Sequence, residues 1–539
     1  MLDVWVHRDA TRTVRGDDAK LDLFRRIDAM RESTGDRRRA LAIEALVAAG
    51  EIESALADAC EPTCATIAKL TDTLAAISLH DGDAGLADAM RGVVVMTLPR
   101  KIEVSAPEGF AFYALHPEAY ALAARELATD DVLVVGIRSI GTTLSAIFRA
   151  ALGDRAKRCT VRPEGPPFDR VLASSPAFPR EKTVAIVDEG PGLSGSTFLA
   201  VAEAFVQTGV SARDIVLVCS HAPDPAKLRA PAAAERWRAF RTIVAPATPR
   251  VPADGDDLSG GAWRALHFRD PSRWPASFIS AERRKVLVEK KTLLKYEGMG
   301  ATASAARQRG DALAKEGFVP PSANAGDGWL AYPWRGKPIA PGAIDGPLVD
   351  RIALLCARRV LLFPADDATD LDPVLAKNRA ALGLEPDRSV HVPPKLPLER
   401  PTIVDARMDP HEWLVLDDGR ILKTDAIAHG DDHFMPGPTD IAWDLAGAIV
   451  EWELDGRMRA RLLDTYRRAS GDDIAPRIVP WLSAYAVGRA AHATFARDAL
   501  RGTDEEPRFA RSIAGYLNAA RALQSGGGEL WKTRGVRGV

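Results

Sequence analysis

Between Asp17 and about Leu86, apolar residues recur at helical intervals, with Leu21, Phe24 and Ile27 on one stripe and Leu41, Ile43, Leu46 and Val47 on another. The spacing predicts amphipathic helices over residues 1–91. At Gly92 the pattern changes. Val93–Met96 is an apolar run of strand length closed by Pro99, and from there to about Val244 short apolar runs alternate with helical stretches. Residues 92–245 are therefore expected to form an α/β unit around a doubly wound, mostly parallel sheet. Residues 246–284 carry Pro246, Pro249, Pro252, Gly260, Gly261, Pro271 and Pro275 and read as a connector, partly ordered because Trp263, Phe268 and Trp274 need somewhere to pack. From 285 to 539 the pattern is α+β and then largely helical. Strands are expected near Leu293–Lys295 and Gly328–Trp334, a helix over Ala301–Glu316, and a hairpin of Trp413–Leu416 with Arg420–Lys423 around Asp417-Asp418-Gly419. Ser525–Gly528 reads as the start of a frayed tail.

Two turns in residues 92–245 carry chemistry. Val132–Val135 is a buried strand followed by Gly136, then Arg138, Ser139, Ile140, Gly141 and Thr142, then a helix whose stripe is Leu144, Ile147, Phe148, Ala151 and Leu152. A loop at a strand's carboxyl end and a helix's amino end offers free N–H groups and the positive end of a dipole to an anion, and Arg138 adds a full charge. Val184–Val187 is a second such strand. Asp188 and Glu189 end it, and Gly190–Thr197 leads into a helix buried through Phe198, Val201, Ala202, Phe205 and Val206. Here Gly192, Leu193, Ser194, Gly195, Ser196 and Thr197 make a phosphate cradle, and two carboxylates at its lip suit vicinal ribose hydroxyls.

At these residues the sequence resembles the type I phosphoribosyltransferases. Val184–Thr197 is similar to that family's binding motif for 5-phosphoribosyl 1-diphosphate (PRPP), and Arg138–Thr142 to its diphosphate loop. The resemblance implies PRPP as substrate, Mg²⁺ as cofactor and displacement of diphosphate from C1 of the ribose. It makes Asp188, Glu189 and Arg138 the catalytic residues, residues 192–197 the 5′-phosphate site and residues 138–142 the diphosphate site. Glu189 stands where Asp is usual, and Gly190-Pro191-Gly192 lengthens the loop by about one residue. Arg162 and Arg170, on a Pro/Gly-rich stretch where the family carries a mobile loop, are candidates to close over diphosphate or an acidic acceptor.

Residues 285–539 are similar to small-molecule kinases of the aminoglycoside phosphotransferase and choline kinase type. Carried over, Lys295 would meet nucleotide phosphates, Asp425 would hold a metal, and Asp440 and Asp444 would brace the catalytic loop, with ATP as a possible ligand. The loop itself departs from the pattern. Arg407 stands where the base aspartate belongs and Glu412 where asparagine belongs, leaving Asp405 or Asp409 as substitutes. The crowding of Asp425, His429, Asp431, Asp432 and His433 makes a metal site of Asp425, Asp431, Asp432 and His433 a further candidate.

Charge and cysteine content change the picture little. Net charge is −2, and neither a basic stripe nor stacked aromatics favours nucleic acid. Five cysteines, with only Cys60 and Cys64 close together, suit a reducing compartment better than a disulfide framework, and no zinc-like second pair accompanies them. No apolar run reaches the eighteen or so residues of a membrane span, so a cytoplasmic protein acting on small molecules is expected. The first expectation is PRPP-dependent phosphoribosyl transfer fused to a degenerate kinase-like unit. The alternatives are a regulatory PRPP or nucleotide sensor and a phosphotransferase working through the C-terminal unit.

Overall fold

The computed structural model describes residues 4–6, 11–80, 82–127, 129–166, 168–173, 182–245, 250–384 and 395–524. A strand Thr11–Arg15 pairs antiparallel with Lys101–Ser105, and the helices Gly16–Arg31, Gly35–Asp58, Cys64–Leu79 and Leu86–Val95 lie between them. The strand expected at Val93–Met96 is instead the end of the last helix. Its buried stripe is Leu86, Ala89 and Val93, while Val94 and Val95 are 57% and 82% exposed. Four apolar residues cannot distinguish the two periods, and here the flanking helical stripe decides. The strand that follows is Lys101–Ser105, where Ile102 and Val104 alternate inward at the period of two.

Five parallel strands form the main sheet in the spatial order Ala156–Val161, Val132–Ile137, Thr183–Val187, Ile215–Cys219, Arg241–Val244. Val132, Val134, Ala185 and Val187 face one side and share a core with the N-terminal helices and helix Ile140–Leu152. Val135, Ile137, Val184 and Ile186 face the other, against Phe198 and Phe205 of helix Ser196–Gln207 and against Trp237. The doubly wound parallel sheet read from the sequence is present. Helix Gly35–Asp58 presses so closely on helix Ile140–Leu152 that a Cβ on Gly50 would collide with Thr143 Oγ1. After Val132–Ile137 the chain first pairs Ala156–Val161 on one side and then returns to Thr183–Val187 on the other. This reversal opens a crevice at the strands' carboxyl ends, the usual ligand position in such sheets.

The C-terminal half begins with an antiparallel sheet in the order Asp256–Asp257, Lys285–Val288, Thr292–Tyr296, Trp329–Pro333, Ala323–Gly326. Helix Gly300–Lys315 follows its third strand, and the hairpin Trp413–Val415 with Ile421–Lys423 forms as expected. Helices Gly346–Leu362, Ala442–Glu451, Gly456–Ser470, Ile478–Ala499 and Glu505–Gln524 build the rest. The connector is more than a tether. Asp256–Asp257 is an edge strand of this sheet, and the stretch beyond it folds back onto the last helix through a buried Arg264–Glu505 ion pair. Its prolines and glycines fix turns, and its aromatic side chains supply the burial. Residues 246–249, and the tail from Ser525, lie outside the described residues. Among the described residues no helix is long and apolar enough to cross a membrane.

The halves meet through residues 110–113 and helix Gly35–Asp58. The Phe110 carbonyl accepts from Met299 N at 2.9 Å and from the Tyr296 hydroxyl, and Tyr113 Oη lies 3.0 Å from His433 Nε2. Both Glu51 carboxylate oxygens accept from Ala301 N, at 3.0 and 3.2 Å, at the start of helix Gly300–Lys315.

Candidate functional site

The two loops singled out in the sequence meet at the crevice. A Cβ on Gly141 would stand 2.7 Å from the Val187 carbonyl oxygen and 3.3 Å from Asp188 Oδ1, so only glycine lets the loops come this close. Ser139 turns the chain at φ 97°, and Gly192 and Gly195 lie in the left-handed region at φ 56° and 72°. Ser194 and Ser196 hydroxyls lie 2.8 Å apart at the start of helix Ser196–Gln207, Thr197 is half-buried, and Leu193 is exposed. Ile140 and Thr142 are buried, so any ligand met by residues 138–142 is met through backbone and through Arg138.

Asp188 and Glu189 are half-buried and held by backbone: Glu189 N donates to Asp188 Oδ1 at 2.9 Å and Gly109 N to Glu189 Oε2 at 2.8 Å. Tyr120 Oη donates to the Asp188 carbonyl at 2.6 Å and fixes the strand end. Burial pushes Asp188 up to about 7, with Arg162 opposing. Burial, then the Glu108 and Asp188 charges, push Glu189 up to about 8. Glu108, from the short helix Glu108–Ala111, thus completes an acidic cluster that sequence reading missed. Eighty residues of chain separate its neighbour Gly109 from Glu189, and no motif links them.

Arg138 and Arg162 do come together, on a partner the sequence did not suggest. Asp58 Oδ1 accepts from Arg138 Nη1 at 2.9 Å and from Arg162 Nε at 3.1 Å. Ser54 Oγ accepts from Ser139 N at 3.0 Å. The end of helix Gly35–Asp58 therefore covers the 138–142 loop with a carboxylate and a hydroxyl. Arg170 is half-buried beside the Glu164–Val171 bridge and makes no ion pair among the described residues.

In the C-terminal half, Lys295 sits on strand Thr292–Tyr296 with its ammonium between Glu297, at 3.0 Å, and Asp425. Burial pushes Asp425 up, yet Lys295 and the other facing cations prevail and hold it well below the carboxylate range. Asp444 braces the loop as the resemblance implied: its oxygens accept from Asp405 N and Ala406 N at 2.8 and 2.9 Å. Asp440 does the same for Glu399 N, Arg400 N and Ala442 N. Asp409 is committed to Arg489, at 3.1 Å. Asp405 is fully buried and pairs with Lys423, which also donates to Glu412 at 2.8 Å.

Asp425, Asp431, Asp432 and His433 do not form one cluster, although Asp432 Oδ1 and His433 Nδ1 lie 3.6 Å apart. The 3₁₀ turn His429–Asp431 sends Asp431 to an ion pair with buried Arg309, His433 to Tyr113, and Asp432 to Phe434 N. The one group with metal-like spacing among the described residues is Asp405, Glu412 and His429, with ligand atoms all within 4.8 Å. The Lys423 ammonium already bridges two of these carboxylates, so a resident cation of the chain's own occupies that corner. Local crowding of ligand-type residues carried no information about direction.

No family model matches the chain, and no curated protein does. Among solved structures, the choline kinase LicA from Streptococcus pneumoniae is 13% identical over 44% of this chain and 89% of its own, with TM-score 0.31. An ethanolamine kinase from Plasmodium vivax is 10% identical over 45% of this chain and 81% of its own, with TM-score 0.30. Aminoglycoside 2′-phosphotransferase-IIIa, in its GDP complex, is 13% identical over 49% and 97%, also with TM-score 0.30. These amount to a weak kinase-like resemblance over a little under half of the chain.

Proposed function

We propose that the chain is a PRPP-dependent phosphoribosyltransferase whose site is the crevice between Val132–Ile137 and Thr183–Val187. The reading rests on one observation: the 138–142 loop and the Asp188–Thr197 segment, each following a parallel strand, pack against each other at the point where the sheet reverses direction. Asp188 and Glu189 accept hydrogen bonds from the ribose hydroxyls, and the backbone and hydroxyls of residues 192–197 hold the 5′-phosphate. Arg138 and the N–H groups of Ile140 and Gly141 at the start of the following helix receive the diphosphate, since Arg138 N, Ser139 N and Thr142 N already donate to Val161 O, Ser54 Oγ and Ser139 O. The bond from C1 to diphosphate breaks as the acceptor's lone pair bonds to C1. Positive charge then grows on the ribosyl centre, within a cluster of carboxylates that favours it. Mg²⁺ suits that cluster, whose acids are raised by crowding and burial, and when bound it would offset the charge of the diphosphate.

Titration of the protein with PRPP and Mg²⁺ by calorimetry should give saturable binding, and the Asp188→Asn, Glu189→Gln variant should lose it. Undiminished binding in the folded variant would remove the assignment.

The Asp58 contacts favour a second reading, a PRPP sensor in which helix Gly35–Asp58 moves when ligand binds. Under either reading Asp58 competes with diphosphate for Arg138 and Arg162. Partly exposed ion pairs contribute about 1 kcal/mol, so Asp58→Ala should tighten diphosphate binding about fivefold, and a weaker complex would contradict the competition. Turnover separates the readings, since only the enzyme releases diphosphate when acceptors are supplied.

Phosphoryl transfer by the C-terminal half is disfavoured by the same geometry. Arg407 holds the position expected of the base, and Asp405, Asp409 and Glu412 are each neutralised by a cation of the chain. The protein should therefore hydrolyse or transfer no ATP phosphate, a result checked by following ADP formation over a panel of amines and alcohols.

A further inference from the structure

The C-terminal half contains a cavity of about 910 Å³, walled on one side by the 258–284 stretch and floored by the loop that carries Arg407. Most charges lining it are matched. Glu282 holds Lys285, Asp425 holds Lys295, Glu412 holds Lys423, and Asp409 holds Arg489. Among the described residues Arg269, Arg273 and Arg335 also line the cavity without an ion pair but are exposed, whereas Arg407 is half-buried. Its Nε is shut off from solvent and has no acceptor, and no ion pair to it forms among the described residues, although Asp409 and Asp432 are near enough to feel its charge. An arginine that lines a cavity without an ion pair turns its charge toward whatever the cavity binds. With the neighbouring acids already committed, the group that completes it is an anion.

Beside the loop that carries Arg407 the wall is aromatic and held in place. Trp263 stacks on His411 with ring centroids 5.3 Å apart and planes 21° from parallel, and its Nε1 donates to Glu282 Oε1 at 2.8 Å. His267 and Trp334 form a second pair, 5.2 Å apart. Burial, and then His411, lower the His267 pKa, so near neutral pH this pair is a flat uncharged surface rather than a second cationic one. Aromatic walls with one half-buried unmatched cation, Arg407, favour a planar ring bearing an anionic group.

We propose that this cavity binds a small aromatic acid, a planar ring bearing a carboxylate or a phosphate monoester, with the anion on Arg407 and the ring against the Trp263 and His267 wall. The site is separate from the crevice of the parallel sheet and does not depend on its assignment.

The test is ligand-observed fluorine NMR on the full chain with three probes: 4-fluorobenzoate, 4-fluorophenyl phosphate and the uncharged 4-fluorobenzyl alcohol. At least one of the two anions should bind about tenfold more tightly than the alcohol, and which one does so identifies the head group. Arg407→Gln should erase the preference, Arg407→Lys should keep part of it, and the Asp188→Asn, Glu189→Gln variant should keep all of it. Trp263→Leu should weaken all three probes alike, which preserves a test if Arg407→Gln does not fold. Absence of saturable binding by either anion to folded wild type would overturn the proposal. So would an anion preference that survives Arg407→Gln or disappears in the Asp188→Asn, Glu189→Gln variant.

Discussion

Replacing Arg264 by methionine should lower the thermal midpoint of the full chain by roughly 10 °C, measured by calorimetry or tryptophan fluorescence. The guanidinium is nearly as buried as the carboxylate it meets, their side chains being 4% and 5% exposed, and the pair is bidentate at 2.8 and 3.1 Å. Its remaining donors reach the Gly261 and Pro275 carbonyls, and Trp274 lies 4.9 Å from it. Burial alone would raise Glu505, but the Arg264 hydrogen bonds and Ser277 N outweigh it and keep the carboxyl below its ordinary range. Removing the arginine leaves the buried Glu505 held, among the described residues, only by Arg508, at 2.6 Å, and Ser277 N, so the loss lies at the low end of the about 3–5 kcal/mol that a broken buried pair costs. The double variant Arg264→Met, Glu505→Leu should recover part of the loss because it leaves no buried carboxylate, although it frees Arg508 of its partner. If the double variant were less stable by the sum of the two single losses, the pair would not be the cause. The outcome also reports on the aromatic wall, because this ion pair anchors the stretch that carries Trp263 and His267.

That stretch shows where sequence reading succeeds and where it ends. Its prolines and glycines announced turns, and its tryptophans announced burial, but the partner that makes Arg264 an anchor lies 241 residues away. Asp188, Glu189 and the glycine loop were legible because strand, acid pair and loop are contiguous, so local spacing fixes their geometry. Asp444 was legible for a related reason, as part of a motif that recurs with the loop it braces. Glu108 and Asp58 were not. Each reaches its site through the packing of a separate helix, and neither carries a mark that distinguishes it from an ordinary surface acid. The cluster Asp425, Asp431, Asp432, His433 failed in the opposite sense: Asp432 and His433 stay 3.6 Å apart, but Asp431 turns to Arg309 and Asp425 to Lys295.

The crevice and the C-terminal half are physically continuous. Gly109 N holds Glu189, the next carbonyl, Phe110 O, receives Met299 N and the Tyr296 hydroxyl, and Tyr296 follows Lys295. Glu51, about two turns before Asp58 on the same helix, meets Ala301 N. A ligand that displaces Asp58 or pulls on Glu189 therefore acts on backbone that borders Lys295.

Binding of PRPP with Mg²⁺ should strengthen about tenfold between pH 7 and pH 8.5, more steeply below pH 7, and level off above. Asp188 and Glu189 are raised to about 7 and about 8, and a ligand that needs both ionised must displace whatever protons the pair retains. Each proton displaced lowers affinity up to about tenfold per pH unit below the corresponding value. The sign for folding runs the other way. An unfolded carboxyl loses its proton near pH 4, whereas the folded pair keeps its protons to about 7 and 8, so raising pH through that window favours the unfolded chain. The unliganded protein should therefore be less stable at pH 8.5 than at pH 6, and the Asp188→Asn, Glu189→Gln variant should lose that part of the slope. Calorimetric titrations in buffers of different ionisation enthalpy count the protons directly. Release approaching two at pH 6 and falling toward zero by pH 9, beyond the ligand's own titration, is the expected result. Binding that releases no protons at pH 6.5 would place the ligand away from the acid pair and remove Asp188 and Glu189 from the site.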